Sequence, residues 1–181
     1  MKVLKSIPLV ATIAVLLSAV PAHAAKMEIT DPNDVRGKLD LRRVTRSGED
    51  KLTWRLITHD GWSVKEIWSV GTLMVDLDTR FDTAPDYYVT ILPTHDQLKA
   101  RLFRDRKNKK DYKVGKVRVW RKDRKSASIQ LSLSRVQVGD DRTTYSWRAQ
   151  TLFNGSSGCK DVCFDLAPQS DAWVTEPLPL P

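Results

Sequence analysis

Cysteine, histidine and long apolar runs are all scarce in this 181-residue chain, and each scarcity removes a class of function. The cysteines are Cys159 and Cys163 alone, and of three histidines one falls in the first 24 residues, leaving His59 and His95. Zinc centres built from cysteine and histidine need more ligands near one another than that. Both remaining histidines precede an aspartate, yet successive side chains on a strand point to opposite faces, so these neighbours do not make a hydrogen-bonded dyad. There is no glycine-flanked serine elbow and no pair of histidines on one helix face. Without a recognisable catalytic constellation, the sequence predicts a non-enzymatic protein. Beyond Ala22 no run is apolar enough for long enough to span a bilayer, and no long stretch has the 3.6-residue period of an amphipathic helix.

What is present begins with a leader. Lys2 and Lys5 precede an uncharged, mostly apolar run from Ser6 to Ala22, which ends in Ala22-His23-Ala24 with small residues where a signal peptidase reads. This predicts a secretory signal over residues 1–24 and one mature domain over 25–181 with a short proline-rich tail. An uncleaved anchor is the alternative, and Pro8, Pro21 and the Ala-x-Ala end argue against it. The expected location is extracellular, with no integral membrane association after cleavage. In an oxidising compartment Cys159 and Cys163 are expected to form a disulfide. An extended strand would hold them about 13 Å apart, too far for a bridge, so the stretch GCKDVC must turn.

Charge is unevenly spread. The mature chain has 28 basic and 22 acidic residues, and residues 99–125 alone hold 14 Lys and Arg against three Asp. One region carries the whole basic character, and the remainder is net acidic.

Short runs with a period of two recur between turn signals. Leu52, Trp54 and Leu56 alternate with polar residues, as do Leu73, Val75 and Leu77, then Leu98, Ala100 and Leu102, Val117 and Val119, and Ile129, Leu131 and Leu133. Leu39 with Leu41, and Tyr145 to Thr151, repeat the pattern, while Val64 to Trp68 has room for one helical turn. Ser47-Gly48-Glu49-Asp50, Asp60-Gly61, Thr83-Ala84-Pro85, Gly139-Asp140-Asp141 and Asn154 to Gly158 punctuate them. The expected fold is all-β, an antiparallel two-sheet β-sandwich of about eight to ten short strands with at most a helical turn. Trp54 and Trp147 share core parity with aliphatic neighbours. Trp62, Trp68, Tyr87 and Tyr88 are less fixed by pattern, and a group of them on one exposed face would make a stacking platform for sugars.

Two regions are candidate sites. In DLDTRFDTAPDYY, residues 76–88, parity places Asp76 and Asp78 on the solvated face beside a loop holding Asp82 and Asp86. Asp78, Asp82 and Asp86 are either ligands for calcium, which takes six to eight oxygens, or turn residues bonded to backbone. Asp31, Asn33, Asp34 and Asp40 share that ambiguity. The second region is a basic hairpin. Lys99, Arg101 and Phe103 lie on one face of the first strand, and Lys116, Arg118 and Trp120 on one face of the second, with Lys122 following. Pairing these strands over the core brings the cations together, which repel across the pair but suit an extended polyanion, with the aromatics adding contact. The alternative is a solvated hairpin that keeps a sheet edge soluble.

The segments DPNDVRGKLDLRRVT, LMVDLDTRFDTAPDYYV, SLSRV and CKDVCFDLAP resemble small secreted actinobacterial β-sandwich proteins of unassigned function. Those in turn are similar to family-nine carbohydrate-binding and DOMON-like modules. The resemblance implies aromatic stacking on sugar and a structural calcium, with Asp78, Asp82 and Asp86 as its ligands and Asp31, Asp34 and Asp165 as a second set; no other cofactor is implied. The expectation is a monomeric, non-catalytic binding module for an anionic cell-wall polymer, glycan or extracellular nucleic acid. The alternatives are a protein-interaction scaffold without a small ligand and a carboxylate-dependent hydrolase.

Overall fold

The computed structural model describes residues 26–49, 51–138, 142–154, 159, 161–170 and 172–178. The expected leader over 1–24, the turn signals expected at 139–141 and 155–158, and residues 179–181 lie outside the described residues.

Among the described residues eleven strands and one short α-helix follow in order: β1 (Met27–Thr30), β2 (Leu41–Ser47), β3 (Lys51–Thr58), α1 (Val64–Ile67), β4 (Gly71–Asp78), β5 (Tyr87–Pro93), β6 (Leu98–Arg104), β7 (Tyr112–Trp120), β8 (Ser126–Ser132), β9 (Thr144–Asn154), β10 (Val162–Ala167) and β11 (Val174–Pro177). A 3-10 turn at Leu133–Arg135 follows β8. All pairings are antiparallel, in the order β1-β2-β3-β8-β7-β6-β5-β4-β9-β10, and β11 pairs with the part of β9 that β10 leaves open. The protein is therefore all-β, as its alternating pattern requires.

The two faces are joined along β7. Its first part pairs with β6 and its last residues, Arg118 to Trp120, pair with β8, so the sheet turns over and encloses a core. Trp54 of β3 and Trp147 of β9 meet edge to face across that core with ring centroids 6.2 Å apart. Leu52, Leu56, Leu73, Val75, Leu77, Val89, Ile91, Ile129 and Leu131 surround them, all fully buried. The sheet curls until its ends meet and is nearly closed. The Leu41 amide at the start of β2 donates to Asp165 of β10 at 2.6 Å, and Arg46 of β2 pairs with Glu176 of β11, both buried.

The helical turn forms where Ser63 caps it. Glu66 N donates to the Ser63 hydroxyl at 3.2 Å and Ser63 N to the Glu66 carboxylate at 2.6 Å, a reciprocal capping box. The loop between β1 and β2 crosses Phe153 at Gly37, whose φ is +128° and where a Cβ would overlap the phenyl ring. Only glycine fits both demands. The sulfurs of Cys159 and Cys163 lie at disulfide distance with Cα atoms 5.9 Å apart, so the chain does turn between them.

Strand β5 lacks clean alternation, since Tyr87, Val89, Thr90 and Ile91 are all buried. In β10 the alternation is inverted, with Val162 and Phe164 exposed while Asp165 and Ala167 are buried. Asp76 and Asp78 do share the face away from Leu77, but that face is not solvated here: they are 1% and 2% exposed. The side chains of Arg148 and Gln150, one strand away, cover Asp76 with bonds of 3.0 and 2.7 Å, and the following loop covers Asp78.

Candidate functional site

The β6–β7 pair brings the predicted cations to one surface. Arg101 lies directly opposite Lys116 in the register, and Ala100 opposite Val117. By strand parity Lys99 joins Arg101 and Arg118 joins Lys116 on the outer face. Among the described residues none of Lys99, Arg101, Lys116, Arg118 or Lys122 has a carboxylate in an ion pair. Beyond Ala100–Val117 the strands part, because β7 turns to β8, and a cavity of about 540 Å³ opens there. Leu98, Ala100, Val117 and Val119 form its apolar lining, with Lys99, Arg101, Lys116 and Arg118 around it. Of the predicted aromatics, Phe103 stacks on Tyr88 with centroids 5.2 Å apart, and Trp120 lies under the Arg118 guanidinium at 5.2 Å. Lys122 sits past the strand end in the β7–β8 turn, exposed. Its neighbour Arg121 is committed elsewhere, stacked 3.7 Å over Trp62 and bonded to the Trp62 and Arg124 carbonyls.

The aspartates of the β4–β5 connection have a different occupation. Asp78 accepts the amides of Arg80, Phe81 and Thr83 at 3.0, 2.6 and 3.0 Å. Asp86 accepts the Thr79 amide and hydroxyl, each at 2.8 Å, and the Arg80 guanidinium. Asp82 accepts the Ala84 amide at 3.2 Å and the Lys107 ammonium at 2.9 Å. Every carboxylate oxygen of the three already holds a donor from the chain itself, which is the turn arrangement that the sequence left open beside the cation loop.

A second acidic group converges instead. Asp31, Asp34, Asp40 and Asp165 each present a carboxylate oxygen within 4.8 Å of the others. Asp31 follows β1 directly and its amide extends the ladder to the Arg42 carbonyl at 2.9 Å. Asp40 ends the same loop, Asp34 lies between them, and Asp165 arrives from β10 at the seam. Asp31, Asp40 and Asp165 are 6%, 1% and 4% exposed. Asp165 accepts the Leu41 and Leu166 amides at 2.6 and 2.8 Å, and Asp34 accepts the Gln169 amide. Neither oxygen of Asp31 has a hydrogen-bond partner, nor has Oδ1 of Asp40. Burial, reinforced by the charge of Asp165, pushes the Asp31 carboxyl up to about 7. Burial pushes Asp165 up to about 6 against the opposing pull of the Leu41 amide, and raises Asp40 as well. A cavity of about 430 Å³ reaches Asp34 and Asp165 from outside.

Pattern reading missed an apolar strip on the outer surface. Leu152 pairs with Thr72 on one side and Phe164 on the other, and Leu92 pairs with Lys99, so one face of β5, β9 and β10 carries exposed apolar groups. Trp68, Leu92, Leu152 and Val162 line a cavity of about 300 Å³ there. The inverted alternation of β10 was its available signal. Trp62 and Tyr87 are buried while Trp68 is half exposed, so the four aromatics do not form one platform. Comparison with protein-family models, with curated proteins and with solved structures finds no match to this chain.

Proposed function

We propose that this protein is a non-catalytic extracellular binding module that holds an extended anionic polymer against the β6–β7 face. The observation that carries the reading is the unpaired set Lys99, Arg101, Lys116 and Arg118 around an apolar-lined cavity. Directly opposed like charges cost a strand pair a few tenths of a kcal/mol each, and a protective role at a sheet edge would account for that cost. Strand β6 is not an edge, however, since it has β5 and β7 on its two sides, while β7 pairs with β6 over its first part and with β8 only over Arg118 to Trp120. An interior strand needs no guard against edge pairing, so the outward charges of Lys99 and Arg101 on β6 are accounted for by a ligand that supplies the missing negative charge. The flanking Tyr88–Phe103 stack and Trp120 offer flat apolar contact beside the cations.

The test is retention of the purified protein on immobilised polyphosphate and polyuronate across a salt series. Four charge contacts give a log–log salt slope of about −3, taking ~0.7 per contact as for single-stranded polyanions. The double substitution R101T/K116T is expected to lower that slope by about 1 to 2. Retention indifferent to both salt and substitution overturns the reading.

The scaffold reading has its own supporting observation in the apolar strip of Trp68, Leu92, Leu152, Val162 and Phe164, all at least about a third exposed. Isolated exposed hydrophobics are ordinary, but a contiguous patch marks a contact surface. Self-association of the protein abolished by L152K, with polyanion retention intact, would favour that role.

A further inference from the structure

We infer that Asp31, Asp34, Asp40 and Asp165 form a calcium site that fastens the seam where β2 and β10 meet. The cluster is more than a group of surface acids. Three of its members are at least nine-tenths buried, and the two oxygens of Asp31 together with Oδ1 of Asp40 are buried with no donor from outside the cluster, although the Asp165 carboxyl stands close enough to Asp31 to share a proton with it. A buried carboxylate oxygen without a partner loses its hydration for nothing in return, a cost of several kcal/mol for an isolated charge. No Lys or Arg offsets that cost at these four residues, since none of the ion pairs among the described residues includes them. The ring of His59 is close: its Nε2 faces the Asp31 carbonyl at 3.3 Å, and its charge acts on Asp40, pulling that carboxyl down in part against burial.

The donor set is all oxygen, which selects a hard cation over zinc or copper. Oxygens at about 2.4 Å from a common centre stand up to about 4.8 Å apart, the scale on which calcium gathers six to eight ligands. The four carboxylate oxygens fall within that span. Magnesium holds ligands at about 2.1 Å and keeps several waters, so a cage built from protein carboxylates is the less natural host for it. The remaining positions are filled by water entering through the cavity that Asp34 and Asp165 line. Amide donors from Leu41 and Leu166 hold Asp165 in place and leave its second lone pairs for the ion. Because Asp31 and Asp40 bracket the β1–β2 loop and Asp165 belongs to β10, one ion ties together elements that share few backbone hydrogen bonds.

Chelator-stripped protein titrated with calcium chloride by calorimetry, with magnesium chloride in parallel at matched ionic strength, tests this site. The expected result is saturable binding of calcium at one ion per chain, weaker binding of magnesium, and a thermal midpoint raised by calcium through mass action. D31N, which keeps the side-chain volume, is expected to abolish binding, and D34N, at the exposed member, to weaken it ~10-fold or more by removing one charged ligand. D82N, in the β4–β5 loop, is expected to bind as the parent does. Absence of saturable calcium binding, preference for magnesium, or binding retained in D31N and D34N but lost in D82N overturns the assignment. D34N decides the question should D31N fail to fold.

Discussion

Asp31 concentrates the chemistry of single residues in this protein. Its carboxyl is pushed from 3.8 to about 7 by burial first and by the charges of Asp165, Asp34 and Asp40 after it. A raised acid constant means that the folded chain holds the proton more tightly than the unfolded chain does. Its contribution is fully present below the unfolded value near 3.8 and is lost as pH rises through about 7. Chelator-stripped protein is therefore expected to melt at a lower temperature at pH 7.5 than at pH 4.5, and D31N to reduce that difference; equal slopes for the two proteins would contradict the burial argument. Asp78 shows the opposite use of a carboxylate. It accepts three loop amides, so D78A is expected to cost about 2–3 kcal/mol in denaturant titration, roughly one per orphaned donor. The sequence placed Asp78 ahead of Asp31 as a candidate ligand, because spacing records which carboxylates are near in the chain and not which amides turn toward them.

At the scale of elements, the β6–β7 pair sets stability against binding. Arg101 faces Lys116 directly, so R101T/K116T is expected to raise the unfolding free energy by a few tenths of a kcal/mol while weakening polyanion retention. Loss of both properties together would mean that these side chains act through packing. Alternation made this pair readable in advance: Leu98, Ala100 and Leu102 facing one way forces Lys99, Arg101 and Phe103 the other. The same rule failed for β5, where Thr90 is buried between Val89 and Ile91, and for β10, whose exposed Phe164 and buried Asp165 reverse the usual sense. A strand covered on both faces has no polar side to announce it.

The whole molecule depends on how its curled sheet is fastened. Arg46 of β2 meets Glu176 of β11 at the seam, both buried, and Glu176 also accepts the Trp147 indole at 2.9 Å. Truncating one partner strands the other charge, so R46M is expected to cost about 3–5 kcal/mol, with R46M/E176L recovering most of it. If the single and double variants unfold at the same denaturant concentration, the pair does not act as a unit. The proposed calcium site lies along the same seam, one strand end away at Leu41 and Asp165.

Alternation and turn residues, which are local, determined the all-β class, the helical turn near Val64, the buried Trp54 and Trp147, and the outward-facing cations of the basic pair. Cysteine spacing determined that residues 159–163 must turn. Only the tertiary structure decided that β6 is an interior strand, that Asp78, Asp82 and Asp86 spend their oxygens on donors of the chain itself, and that Asp165 comes to lie beside Asp31, 134 residues earlier in the chain. Each of these is settled by which distant strands close against each other, and closure is a property of the summed twist of the sheet and of its seam contacts, which no window of sequence contains.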